Sequence, residues 1–248
     1  MTFGLLALLA APGSSTAAAG DGPALYRTVT IVTGTGEESR HRGFAECLRQ
    51  VLVKVAGDPR LAEDARVGGL AGEAANFVRD FGYRDRMAGI PVHDEQGTRD
   101  RPHFLTVEFE PARIDAALRA LGRAPWPEPR PRVAVMLTVR TGDVAYVLAS
   151  DGASGRDQRE ALEAAAERLG LPVVLPDTAM AAAGRRPQAD VTVVGSLVWS
   201  DTALGWAAEW TFQAPDHSAN WAEAGVSFDQ AFRTMLGRAA LILSGNQR

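Results

Sequence analysis

Two glutamates and two histidines are the residues whose types could support acid–base chemistry. Glu108 and Glu110 alternate along a predicted strand, so both side chains point to one face of it. Such a carboxylate pair can divide the acid and base roles of a hydrolysis. His93 and His103 lie in and just after the charged segment 84–101. Alternation with apolar residues favours a solvent-facing surface for the glutamates, and we assign no catalytic residue.

The patterns for cofactor and metal binding are incomplete. Gly34-x-Gly36 lies between a predicted strand and a predicted helix, where a dinucleotide-binding turn would stand. Ser39 occupies the place of the third glycine, and the two glutamates after Gly36 would repel a pyrophosphate. The chain has one cysteine, and no two of its four histidines are three or four residues apart. We therefore predict no metal and no cofactor.

Tryptophan is the most concentrated chemical feature. Trp199, Trp206, Trp210 and Trp221 fall within 23 residues. Trp206 and Trp210 share strand parity with Phe212, so these three rings lie on one face. An exposed face of this kind could stack on sugars or on a partner protein. The amphipathic helix that follows needs a sheet to cover, which favours a core role, and the four tryptophans remain our binding-site candidates.

Strands and amphipathic helices are mixed along the whole chain. The patterns predict an α/β chain of the α+β type, with a mixed or antiparallel sheet and packed helices in each of two small domains. The predicted strands are 25–32, 104–109, 133–139, 144–148, 172–175, 190–199, 205–213 and 221–225. The predicted helices are 37–55, one or two within 61–81, one opening at Pro111, 156–169, 179–183 and one capped by Ser227.

A proline-rich segment divides the chain. Four prolines fall between positions 125 and 131, where they exclude a helix or a central strand. We predict an N-terminal domain at 20–123, a linker at 124–132 and a C-terminal domain at 133–248.

The first residues resemble a secretory signal. An apolar run at 3–12 is followed by small residues that end in Ala17-Ala18-Ala19, although no basic residue precedes the run. We predict a signal peptide at 1–19, a periplasmic or secreted protein, and no membrane span in the mature chain. The net charge of −4 without a basic patch argues against nucleic-acid binding.

Several of these segments resemble a known family. Segments 40–58 and 104–109, together with Trp126, 131–135 and 169–176, are similar to bacterial envelope proteins grouped as domain of unknown function 2066 (DUF2066). A looser likeness links the first half to the N-terminal half of flagellar assembly protein T and the second half to the N-terminal domain of the TolB protein. The resemblances imply a scaffold or adaptor and assign no catalytic residues.

We predict a non-catalytic periplasmic binding or assembly factor with a protein partner in the envelope. One alternative is an envelope hydrolase built from Glu108, Glu110, His93 and His103. Another is a peptidoglycan or carbohydrate binder that uses the tryptophans. The oligomeric state stays open.

Export is directly measurable. We expect the full chain with a C-terminal tag to be recovered from the periplasm with a mature N-terminus near Gly20, because signal peptidase cleaves after small residues. N-terminal sequencing of fractionated cells checks this. A cytoplasmic product that still begins at Met1 would contradict the prediction.

Overall fold

The computed structural model describes residues 22–89 and 100–247. The predicted signal peptide and His93 lie outside these residues. The helices are α1 (Gly22–Leu25), α2 (Glu37–Ala56), α3 (Ala65–Gly72), α4 (Pro111–Ala120), α5 (Arg156–Leu169), α6 (Thr178–Ala182) and α7 (Phe228–Ser244). The strands are β1 (Arg27–Thr33), β2 (Val78–Asp85), β3 (Pro102–Phe109), β4 (Val133–Thr141), β5 (Val144–Val147), β6 (Val173–Val174), β7 (Val191–Ser200), β8 (Gly205–Ala214) and β9 (His217–Val226). The fold is α+β, as predicted.

A three-stranded antiparallel sheet and α2 form the N-terminal half. The strand order is β1-β3-β2, which leaves β1 and β2 at the edges. The long apolar stripe of α2 packs on one face of this sheet. Gly43 makes the approach close, because a Cβ there would lie 2.4 Å from Leu105 Cδ2 and 2.8 Å from Val32 Cγ1. The helix ends at Gly57, whose φ of 64° suits a glycine cap.

Segment 61–81 contains a predicted short helix, α3, but its last residues depart from the prediction. The chain forms 3-10 turns at Pro59–Glu63 and Ala74–Phe77 on either side of α3, and then enters β2. Phe81, at the end of the segment predicted to be helical, lies on β2 opposite Val107 and is exposed. Pairing with β3 makes residues 78–85 a strand. Local spacing could not reveal it, because the partner strand lies further along the chain.

A six-stranded mixed sheet forms the C-terminal half. Its main order is β5-β4-β7-β8-β9, and β6 also pairs with β4. β4 runs parallel to β6 and β7, while the other pairs are antiparallel. The structure confirms the predicted strand β4, which lies inside the sheet, and α5 with its predicted bounds. It also confirms the cap of α7, where Ser227 Oγ accepts a hydrogen bond from Gln230 N–H at 3.2 Å.

Arg130 connects the two halves. Its side chain is 7% exposed and lies over the Trp126 ring, 4.4 Å from the centroid. The guanidinium donates to Lys54 O (2.8 Å) near the end of α2, to Leu169 O at the end of α5, and to Trp126 O (2.8 Å). Helix C-terminal ends carry partial negative charge, so they stabilise this cation. Burial lowers the pKa of Arg130 to about 10, which keeps the group charged at neutral pH.

A second polar contact reinforces this junction. Asn246, just after α7, donates through Nδ2 to Ala56 O (2.8 Å) and Ala124 O (3.0 Å).

Asp58 is fully buried and accepts from Arg60 Nε (2.8 Å) and Arg123 Nε (2.6 Å). Burial would raise the pKa of Asp58, but the arginine hydrogen bonds outweigh it and lower the pKa. These contacts hold the ends of α2 and α7 together.

The segment 124–132 therefore packs against both halves. Val53 likewise lies against the apolar cores of both. The domain boundaries themselves remain a prediction. None of the helices in the described part of the chain is long and apolar enough to cross a bilayer.

Removing the Arg130 cation tests the junction. We expect Arg130→Met to lower the free energy of unfolding by about 2–4 kcal/mol, because buried carbonyl oxygens lose a charged donor. Urea denaturation followed by circular dichroism measures the change. Arg132→Met is the matched control, since Arg132 bonds Asp190 through its backbone N–H. Equal stability of the two variants would show that the buried cation contributes nothing.

Candidate functional site

The predicted tryptophan cluster is mostly core. Trp206, Trp210 and Trp221 are buried, and Trp210, 2% exposed, packs on Phe232 of α7 with 6.2 Å between ring centroids. Trp199 is 40% exposed at the end of β7. Stacking on a ligand requires an accessible ring face. The burial therefore favours the structural interpretation, and ligand binding by these four residues remains a prediction.

Gly195 shows how closely the core is built around Trp210. The two residues are opposite each other in the β7–β8 register. A Cβ on Gly195 would lie 2.2 Å from Trp210 Cε3 and 2.4 Å from Cζ3. Glycine at this position therefore makes room for the indole ring.

The structure describes three of the predicted acid–base residues, Glu108, Glu110 and His103, and it separates them along the chain. β3 ends at Phe109, so Glu110 lies at the start of α4 instead of sharing the strand with Glu108. His103 points to the opposite face of β3 from Glu108, and five residue steps along the strand separate them by about 16 Å. No group of three or more possible metal-binding side chains occurs in the part of the chain that the structure describes. The geometry of the residues that the structure describes gives the hydrolase alternative no support, and His93 lies outside them.

Sequence reasoning overlooked Glu223. It lies on β9 opposite Ala208, two residues after Trp221 and on the same face, beneath α7. Its Oε1 is buried without a hydrogen-bond partner among the described residues, as are the indole nitrogens of Trp210 and Trp221. Burial raises the pKa of Glu223, and nearby Thr234, Trp210 and Arg238 offset part of this rise. The sequence did carry a signal for this residue, because Glu223 is two positions after Trp221 and therefore shares its face of the strand.

The other feature is the free edge of β1. Phe109 N–H donates to Tyr26 O (3.0 Å) at one end of the β1–β3 ladder. Gly34 N–H donates to Arg101 O (2.8 Å) at the other. Both pairs continue the ladder's register, and an antiparallel ladder bonds directly opposite residues at every second position. Even-numbered residues of β1 therefore pair with β3, and odd-numbered residues turn their N–H and C=O groups to the free edge.

Val29 and Ile31 form the centre of this edge. Their side chains are 46% and 52% exposed on the sheet face opposite α2. Within the described residues, no hydrogen bond reaches the backbone groups that they turn away from β3. Two donors and two acceptors are therefore available in line along an extended segment.

A groove of about 370 Å³ lies between this edge and α2. Residues 30–33 form its strand wall, and Ser39, Arg42, Gly43 and Glu46 line its helix wall. Arg42 is exposed and contacts Glu38 at 2.9 Å. The groove thus combines unpaired backbone groups with one cation and one anion. An extended polypeptide placed here could continue the sheet.

Comparison with known families points to the half of the chain that holds this groove. Residues 19–127 match a family described as Domain of unknown function (DUF8605). That is 109 of 248 residues, so the similarity concerns the N-terminal part. No curated protein and no solved structure matches the chain.

The family match corrects the family resemblance that we inferred from the sequence segments. The similarity to DUF2066 was wrong, and the likenesses to flagellar assembly protein T and to TolB find no support. The segments behind those likenesses form a helix, its cap and strand edges. Such elements recur in unrelated proteins, because they are determined by local packing and do not define a functional site.

Neutralising Glu223 tests its burial. The pKa of Glu223 is raised in the folded state, so its charge opposes folding at neutral pH and this effect disappears as pH falls below the ordinary value of 4.5. We expect Glu223→Gln to raise the thermal unfolding midpoint at pH 7 and to have little effect near pH 4. Calorimetry at both values measures this.

The matched control for this test is Glu209→Gln, on the exposed opposite face of the sheet. It should leave the midpoint unchanged at both pH values. A lower midpoint for Glu223→Gln at pH 7 would mean that the carboxylate stabilises the fold.

Proposed function

We propose that the protein is a non-catalytic binding or assembly factor that takes up an additional β-strand at the free edge of β1. The observation behind this proposal is the row of backbone groups at Val29 and Ile31, beside the groove along α2, that find no partner in the part of the chain that the structure describes. Strand addition is a recurrent mode of peptide recognition, in which main-chain hydrogen bonds provide affinity and side-chain pockets provide specificity.

The residue types of β1 support this assignment. Proteins commonly block edge strands with charges, proline, bulges or a covering element. β1 reads Arg-Thr-Val-Thr-Ile-Val-Thr, with its one charge at the first residue. Its seven residues pair with β3 without a register shift. An edge this regular and this apolar favours pairing with another chain.

The predicted signal peptide would place this binding in the cell envelope. A partner there would supply an extended segment, and no reaction is required of the protein. The Arg42 and Glu46 side chains along the groove would contact the side chains of that segment. Since the two have opposite charges, they would favour segments with both signs over segments with only one.

A proline at the free edge tests the proposal. Ile31→Pro removes one outward N–H while leaving the even-numbered ladder bonds to β3, and prolines are tolerated at such edge positions. Peptides selected from a random display library against the full chain serve as probes. We expect them to bind Ile31→Pro about tenfold or more weakly, because the added strand loses a main-chain hydrogen bond.

Ile31→Thr is the matched control, because it keeps the N–H and the β-branched shape. Hydrogen exchange adds a direct readout, since binding should slow exchange at the Val29 and Ile31 amides. Selected peptides that bind Ile31→Pro as well as wild type, or that leave these amides unprotected, would overturn the proposal.

A further inference from the structure

We infer that the strand occupying this edge is β1 of a second copy, paired antiparallel about a two-fold axis that passes beside Thr30. This inference rests on the proposed function, since it names the occupant of the same site. A two-fold contact requires a surface that is complementary to itself. The edge of β1 satisfies this requirement in its backbone and its side chains.

The backbone groups are symmetric about Thr30. The outward residues lie one and three positions to either side of it, so Val29 falls opposite Ile31 of the second copy. The two Val29–Ile31 pairs then exchange four hydrogen bonds. The ends of the edge are already engaged, because Arg27 O accepts from Lys54 Nζ (3.2 Å) and Thr33 O accepts from Ser39 Oγ (2.6 Å). Pairing therefore satisfies the groups that the fold leaves open.

The side chains agree with the same register. Val29 and Ile31 are about half exposed on the face opposite α2, where Ile31 is next to Phe104 of β3. In the dimer, Val29 and Ile31 of each copy would form one continuous apolar patch across the axis. The two three-stranded sheets would become a single six-stranded sheet. This accounts for apolar residues at positions where a solvated edge would carry charges.

The charge on β1 does not oppose this arrangement. Arg27 is the one charged residue of β1 and would lie opposite Thr33 of the second copy. The helix α2 runs antiparallel to β1, because Gly43 lies over Val32 while Cys47 O bonds Thr28. Across the axis the two helices would also be antiparallel.

Arg42 and Glu46 line the groove side of α2, next to the proposed contact. The contact is confined to one strand and one helix face, so we expect association in the micromolar range.

Sedimentation velocity of the full chain over micromolar to millimolar concentrations is the first test. We expect wild type to shift from monomer to dimer, and Ile31→Pro to raise the dissociation constant about tenfold or more. A chain that is monomeric throughout, or a dimer that Ile31→Pro leaves unchanged, would overturn the inference.

Disulfide trapping tests the register. Thr30 would face its own copy as a non-hydrogen-bonded pair with Cα atoms about 4.5 Å apart, which a disulfide can bridge. Thr30→Cys should therefore form a covalent dimer on mild oxidation. Val29→Cys is the matched control, because two strand positions would separate it from Val29 of the other copy. The native Cys47 is fully buried and is the same in both variants.

The outcomes separate this inference from the proposed function. Equal crosslinking of the two cysteine variants, or none in either, would reject the self-paired strand. If selected peptides still protect the Val29 and Ile31 amides in that case, strand addition stands and the occupant is a different protein. If neither pairing nor peptide protection occurs, both proposals fail.

Discussion

A buried arginine that has no carboxylate partner among the described residues joins the two halves of the molecule. The Arg130 guanidinium donates to carbonyl oxygens at the C-terminal ends of α2 and α5, two helices that pack on different sheets. A carboxylate would neutralise the charge at one point, whereas carbonyl oxygens on both sides allow one side chain to bind both helices. Arginine suits this position, because its planar fork offers several donors in fixed directions. Trp126 covers its face and shields these bonds from water.

This junction also affects the candidate site. The helix α2 is held at its C-terminal end by Arg130 and, through Ala56, by Asn246. Its N-terminal half forms one wall of the groove beside β1. The C-terminal half of the chain thus anchors the helix whose other end faces the open edge. A groove with an anchored wall presents its charges in a defined position, which reduces the entropy lost on binding.

The tryptophans and the edge strand show why residue type alone was a poor guide to the site. Aromatic residues contribute large apolar areas, and a core uses them as readily as a binding surface does. Here Gly195 makes room for Trp210, and α7 covers the ring. The edge of β1 carries no unusual residue. Its binding capacity comes from main-chain groups that every residue has, and sheet order decides whether those groups are free.

The sequence by itself determined the local elements. Glycine caps, a serine cap and apolar spacing located α2, α5 and α7, and β-branched residues located β1, β3 and β4, because these signals act within a few residues. The tertiary structure decided β2, the burial of Trp210, the partial burial of Glu223, the Arg130 junction and the open edge of β1. Each of these depends on which distant segments meet. Contacts between distant segments arise from the packing of the whole chain, and no local pattern in a single sequence records them.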